Sequence, residues 1–133
     1  MTTTSRHISA WIARPAAEVY EFARRPSNLP SWAAGLGTSV EEVDGRWVAD
    51  SPMGHVVVSF APPNDFGVLD HDVTLPSGET VSNPMRVVPD DGGSEVVFTL
   101  RRRPGMSDDD FARDAAAVAA DLATLKALLE RPA

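Results

Sequence analysis

Through most of the chain apolar and polar residues alternate in short runs broken by proline, glycine and aspartate. In "HISAWIA", residues 7–13, Ile8, Ala10 and Ile12 share one face, which predicts a first strand. "RPAAEVYEFARR" follows, with proline near a first helical turn and Val19, Phe22 and Ala23 at helical spacing, so a short helix comes next. "SNLPSWAAGLG" predicts a second, shorter helix capped by Ser27 or Asn28 and ended by Gly35 or Gly37. Six candidate strands then follow as a meander: "TSVEEV", "RWVADS", "HVVVSF", "GVLDHDVTL", "ETVSNPMRVV" and "GSEVVFTLRR". Asp44-Gly45 is the turn of the first hairpin, and "PMG", "PPND", "PSG" and "PDDG" separate the rest. The chain ends in a long helix with Ser107 as N-cap and Asp108, Asp109 and Asp110 at its positive end, while Lys126 and Arg131 lie toward the other. Phe111, Ala115, Val118, Leu122, Leu125 and Leu129 fall on one face of that helix.

Strand, two short helices, six strands, long helix is an α+β order. It predicts a curved seven-stranded antiparallel β-sheet wrapped around the C-terminal helix, which is the economical way to bury the apolar stripe. The 133 residues are expected to form a single domain, residues 1–133, with no linker or repeat.

Alternation within "GVLDHDVTL" sorts Leu69, His71, Val73 and Leu75 onto the inner face and Asp70 and Asp72 onto the outer, so the "DHD" triplet does not converge on a metal. A three-residue "PSG" loop with Gly78 in the left-handed conformation pairs Leu75 with Glu79 and sets His71 opposite Asn83. A four-residue "PDDG" loop pairs Val88 with Gly93, Met85 with Val96, Asn83 with Phe98 and Arg86 with Glu95. The inner wall is then His71 and Asn83 among Val56, Val58, Phe60, Leu69, Val73, Val81, Met85, Val96, Phe98 and Leu100. Pro84 lies inside a predicted strand, where it has no N–H to donate, so an irregularity is expected there. Trp11 points outward, near Val97, as a candidate partner surface.

Composition narrows the classes. A formal charge of −7 argues against nucleic-acid binding, and "RRRP" is offset by the "SDDD" that follows it closely. The absence of cysteine removes disulfides and thiolate metal sites. Without a secretory start or a spanning apolar run, the cytoplasm is the default location and no membrane insertion is expected. His7 and His55 alternate outward, away from His71, so no metal site is expected, and no cofactor.

The order of elements, with "WIARPAAEVYEFARRPSNLPSW" at the front and "FAPPNDFGVLDHDVTLPSG", "NPMRVVPDDGGSEVVFTLRRRPGMSDDDF" and "DLATLK" behind, resembles the START and Bet v 1-like superfamily, including its polyketide cyclase/dehydrase members. The resemblance covers nearly the whole chain. It implies the helix-grip fold with an internal cavity between sheet and long helix, and it names no substrate and no catalytic set.

If the cavity exists, its expected lining is Trp32, Trp47, Val58, Phe60, Leu69, His71, Val73, Asn83, Met85, Phe98, Phe111, Ala115 and Val118, an apolar set suited to a hydrophobic or aromatic molecule. Close packing against the alanines of the last helix is the alternative. His71 is the candidate general acid or base, with Asn83 to fix its tautomer or to bind a substrate carbonyl. The readings left open are a small-molecule binding protein, a cyclase, dehydratase or hydrolase-like enzyme using His71, and a co-chaperone-like interaction module working through the convex face around Trp11 or through the rim. The partner expected is a small hydrophobic molecule, with homodimerisation open.

Overall fold

A computed structural model describes residues 4–34, 39–52 and 54–132. Within them the helix-grip architecture is present: antiparallel strands, two short helices after the first strand, and a long C-terminal helix packed on the sheet. Strand β1 (Ser5–Ile12) buries Ile12 and half-buries Ile8 and Ala10, as its alternation dictates. Helix α1 (Ala16–Ala23) buries Val19 and Ala23, and a single 3-10 turn leads into α2 (Leu29–Trp32), which buries Leu29 and Trp32. Gly35 and Gly37, expected to end that helix, lie outside the described residues, as do Thr38 of "TSVEEV" and Met53 of "PMG".

Strands β2 (Ser39–Val43), β3 (Arg46–Ser51), β4 (Gly54–Phe60), β5 (His71–Thr74) and β6 (Thr80–Asn83) form one sheet in that order. A second sheet has the order β1, β8 (Gly93–Arg101), β7 (Met85–Asp90). Among the described residues the strands number eight rather than seven, because the run expected over residues 79–88 divides at Pro84 into β6 and β7. The sequence 67–75 divides at the same level. Its second half pairs with β6, His71 opposite Asn83, while its first half runs along β7, with Leu69 N–H donating to Met85 O at 2.9 Å and Val87 N–H to Gly67 O at 3.0 Å. This hairpin therefore links the two sheets. Gly67 allows the close approach: its φ is +70°, and a Cβ there would stand 2.1 Å from the Val87 carbonyl oxygen.

Loop chemistry explains one correct register and one wrong one. Gly78 is left-handed with φ +92°, and Leu75 N–H donates to Glu79 O at 2.8 Å, so the "PSG" hairpin closes as its length dictates. The "PDDG" hairpin instead turns on Asp91-Gly92 alone, with φ of 43° and 82°. That is the left-handed pair of a two-residue turn, the chemistry already evident at Asp44-Gly45. Asp90 pairs with Gly93, Val88 with Glu95 rather than Gly93, Met85 with Phe98 rather than Val96, and Arg86 with Val97 rather than Glu95. Phe98 is thus taken by Met85 and is not the ladder partner of Asn83. The slip is by two residues, so every side chain keeps its face.

Helix α3 (Asp108–Leu129) opens as expected, Ser107 Oγ accepting from Asp110 N–H at 3.1 Å. Phe111, Ala115, Leu122 and Leu125 are buried, and Val118 and Leu129 pack beside the core. At its far end Lys126 Nζ donates to Trp11 O at 2.8 Å and to Glu130 at 2.7 Å. Trp11 does point outward, 43% exposed, but opposite Glu95 rather than Val97. Its ring covers Gly93, where a Cβ would stand 2.5 Å from the indole, and Lys126 Nζ sits 5.8 Å from the ring centroid. Among the described residues no helix is long and apolar enough to cross a membrane.

These contacts rank two substitutions. Ser107→Ala removes one cap bond and should cost about 1 kcal/mol. Gly67→Ala sets a methyl group against backbone in a left-handed conformation and should cost more, about 3 kcal/mol or above. Urea unfolding of both variants measures the difference, and an unperturbed Gly67→Ala midpoint would contradict the packing of residues 67–69 on β7.

Candidate functional site

Helix α3 packs directly on β1, β8 and α2 and stands off β5 and β6. A cavity of about 240 Å³ fills the gap. Its sheet wall is His71, Val73 and Leu75, then Val81 and Asn83, then Phe98 and Leu100 from β8. The helix wall is Asp114, Ala117, Val118, Asp121 and Leu122, and Trp32, Ala33 and Arg103 complete the lining. Most of this surface is apolar, so the polar groups define its chemistry.

His71 is buried, 5% exposed, with its ring stacked on Phe60 at 4.9 Å and edge-on to Phe98 at 5.9 Å. Its flanking aspartates face away, as alternation requires. Asp72 accepts from Ser82 Oγ at 2.9 Å, and Asp70 is ion-paired with Arg86. Asp70 has a second task at the Pro84 break. Leu69 and Met85 face each other as a pair that should exchange two backbone bonds, but only Leu69 N–H to Met85 O forms. Met85 N–H is diverted to Asp70 Oδ1 at 2.8 Å. The Leu69 carbonyl is left with a free lone pair, and His71 Nδ1 bonds to it at 3.0 Å.

A carbonyl only accepts, so Nδ1 carries the proton and Nε2 presents a bare lone pair. No side chain among the described residues bonds to Nε2. The tautomer is thus set by Leu69, not by Asn83 as the register suggested, and Asn83 is left as a second polar group of the cavity wall. Desolvation lowers the pKa of His71 below the usual 6.5, against smaller opposing effects of the Leu69 bond and of Asp70 and Asp72.

Trp32, His71, Val73, Asn83, Phe98 and Val118 line the cavity as expected. Phe60 supports His71 without lining it, and Val58, Leu69 and Met85 are sealed in the core. Trp47 is half-buried opposite Val58, away from the cavity. Phe111 and Ala115 belong to a small second core with Leu100, where Arg6 and Arg102 lie 5.5 and 5.8 Å from the Phe111 ring. The first turns of α3 thus pack closely, and the void opens beyond them.

The sequence reading missed Arg103, Asp114 and Asp121. Asp121 is about half-buried, accepts from Ala34 N–H at 3.3 Å, and has its pKa pushed up to about 6, chiefly by desolvation. A signal for both acids was available. Asp114, Ala117, Val118 and Asp121 follow helical spacing, which puts the two carboxylates on the face that bears Val118.

A family model described as "Polyketide cyclase / dehydrase and lipid transport" matches residues 3–130. A search of curated proteins finds no match. Solved structures share the fold at low identity. The crystal structure of Ara h 8.0201 has a TM-score of 0.71 at 13% identity, over 96% of this chain and 98% of the other. Norcoclaurine synthase from Thalictrum flavum, as a truncated form, has a TM-score of 0.66 at 13% identity, over 99% and 96%. The Aha1 dimer from Colwellia psychrerythraea has a TM-score of 0.71 at 15% identity, over 96% and 96%.

Two measurements test the site. In Asp70→Ala, Met85 N–H turns to the Leu69 carbonyl and competes with His71. Ring nitrogen NMR shifts should show a single Nδ1–H tautomer in the wild type and a mixture in the variant; an unchanged tautomer would break the link. The second concerns pH. With its folded pKa lowered, His71 gives stability that is complete above about 6.5 and is lost as pH falls below that value, because the unfolded chain protonates first. Asp121 has the opposite sign: its folded pKa of about 6 exceeds the ordinary 3.8, so its penalty is full above 6 and fades as pH falls toward 3.8. Asp121→Asn, which keeps an acceptor for Ala34 N–H, should unfold at higher urea than the wild type near neutral pH. That advantage should shrink toward pH 3.8, and an advantage that grows on acidification would contradict the assignment.

Proposed function

This chain belongs to the polyketide cyclase/dehydrase and lipid transport family, and on that premise we propose that it binds a small hydrophobic or aromatic molecule between the sheet and α3. The observation that carries the reading is the cavity of about 240 Å³, apolar over most of its lining and provided with an oriented imidazole nitrogen that has no partner among the described residues. Apolar burial supplies the affinity, roughly 25 cal/mol per Å² removed from water, and His71 and Asn83 orient the guest.

A second reading, catalysis, rests on the bare Nε2 of His71. A neutral imidazole of lowered pKa, held in one tautomer inside an apolar wall, is a general base that stays unprotonated through neutral pH. A cyclisation or dehydration would use it to take a proton from a donor group or an acidic carbon of the substrate. The third reading, an interaction module presenting Trp11, has less support, since the indole is engaged by Gly93 and Lys126.

Native mass spectrometry of protein purified from its own host, with extraction of any bound molecule, tests the first reading, alongside titration with the fluorescent probe N-phenylnaphthylamine. Val118→Trp fills the cavity from α3 and should abolish probe binding while the fold is retained by circular dichroism. Undiminished binding to that variant would place the probe elsewhere. If the extracted molecule is turned over, His71→Gln should slow turnover by about 100-fold or more. An unchanged rate would remove His71 from the chemistry.

A further inference from the structure

The accessible polar groups of the cavity are mostly of one kind. On the sheet wall His71 Nε2 is an acceptor, since its other nitrogen holds the proton. On the helix wall Asp121 spends one oxygen on a long bond to Ala34 N–H at 3.3 Å. No cation pairs with it among the described residues. Asp114, two turns earlier on the same helix, adds a second carboxylate to the lining, also unpaired among the described residues. Against these stands Arg103, also without an ion-pair partner among the described residues. The other wall donor, Trp32 Nε1, is fully enclosed and has no partner among the described residues. Asn83 can serve either way. The charged lining is therefore net negative, and acceptors face the interior from both walls.

Such a lining discriminates by chemistry. A carboxylate guest of matching size would meet the field of Asp114 and Asp121 and leave His71 Nε2 without a donor. A guest with N–H or O–H groups satisfies the acceptors, and a protonated amine also neutralises a half-buried carboxylate. Resting on the cavity reading above, we propose that the site selects an aromatic molecule bearing hydrogen-bond donors, an amine above all, with its donor at Asp121 and its ring against Val118 and Phe98, and that it rejects fatty-acid-like carboxylates.

Protonation adds a signature. Asp121 titrates at about 6, while burial keeps His71 neutral below its usual range. The charged groups that share the cavity lining with Asp121 are Arg103 and, on the same helix, Asp114. Amine affinity should fall as pH drops through about 6, whereas affinity for an uncharged ring should not follow that step.

The test is calorimetric titration of the full chain with naphthalene, naphthol, naphthylmethylamine and naphthoate, which share one ring system and differ in the polar group. Near neutral pH the amine should bind about tenfold or more tighter than the carboxylate, with naphthol between them. Asp121→Asn should erase the amine's advantage, leave naphthalene binding intact and remove the pH step. Naphthoate binding as tightly as the amine, with naphthalene still bound, would overturn the proposed selectivity and leave the cavity reading standing. Failure of all four to bind would overturn both. An amine preference that survives in Asp121→Asn would overturn the assignment of Asp121.

Discussion

Pro84 has no backbone N–H, and the polar groups of the site are arranged beside the break that it marks between β6 and β7. A strand that would run unbroken over residues 79–88 changes neighbours there, pairing with β5 before the proline and with residues 67–69 and β8 after it. The rearrangement is local and complete. The Pro84 carbonyl still accepts from Thr99 N–H at 2.9 Å, and Met85 N–H, turned from its cross-strand partner, meets the carboxylate of Asp70. What remains is a Leu69 carbonyl with a free lone pair inside the protein, and the imidazole of His71 takes it. The tautomer of His71 is thus fixed by a backbone carbonyl beside the break.

The anchoring of α3 explains why a cavity can persist. Closing a void of this size would recover dispersion energy, so something must hold its walls apart. Helix α3 is pinned at both ends. Phe111 and Ala115 pack with Leu100 at the beginning, and Leu125 is sealed in the main core while Lys126 grips the Trp11 carbonyl near the end. Between these anchors the helix presents Ala117 and Val118, too small to reach β5 and β6 across the gap. Of the polar groups left there, His71 is neutral and bonded to the Leu69 carbonyl, whereas Asp121 carries a desolvation cost when it is ionised.

Much of the site was legible before any coordinates. Loop length and a left-handed glycine set the 67–88 hairpin and placed His71 opposite Asn83, because antiparallel register is a counting problem once the turn type is known. The β7–β8 hairpin slipped because Asp91-Gly92 was read as half of a four-residue loop, although Asp-Gly is itself a two-residue turn. Since a slip of two preserves side-chain direction, the inner wall was still identified. The helix wall was less legible. Periodicity ranks residues by face but carries no tilt, so Phe111 and Ala115 were expected in the void and instead pack against Leu100, while Asp114 and Asp121 at the margin of the stripe do line it.

Sequence alone therefore determined the elements, their order, the face on which each side chain lies and the separation of the "DHD" triplet onto opposite faces, because those follow from local periods of two and 3.6 residues. The tertiary structure decided where α3 stands off the sheet, which acids reach the void and which carbonyl holds the proton of His71. Those depend on distances between segments far apart in the chain, and no local pattern encodes them.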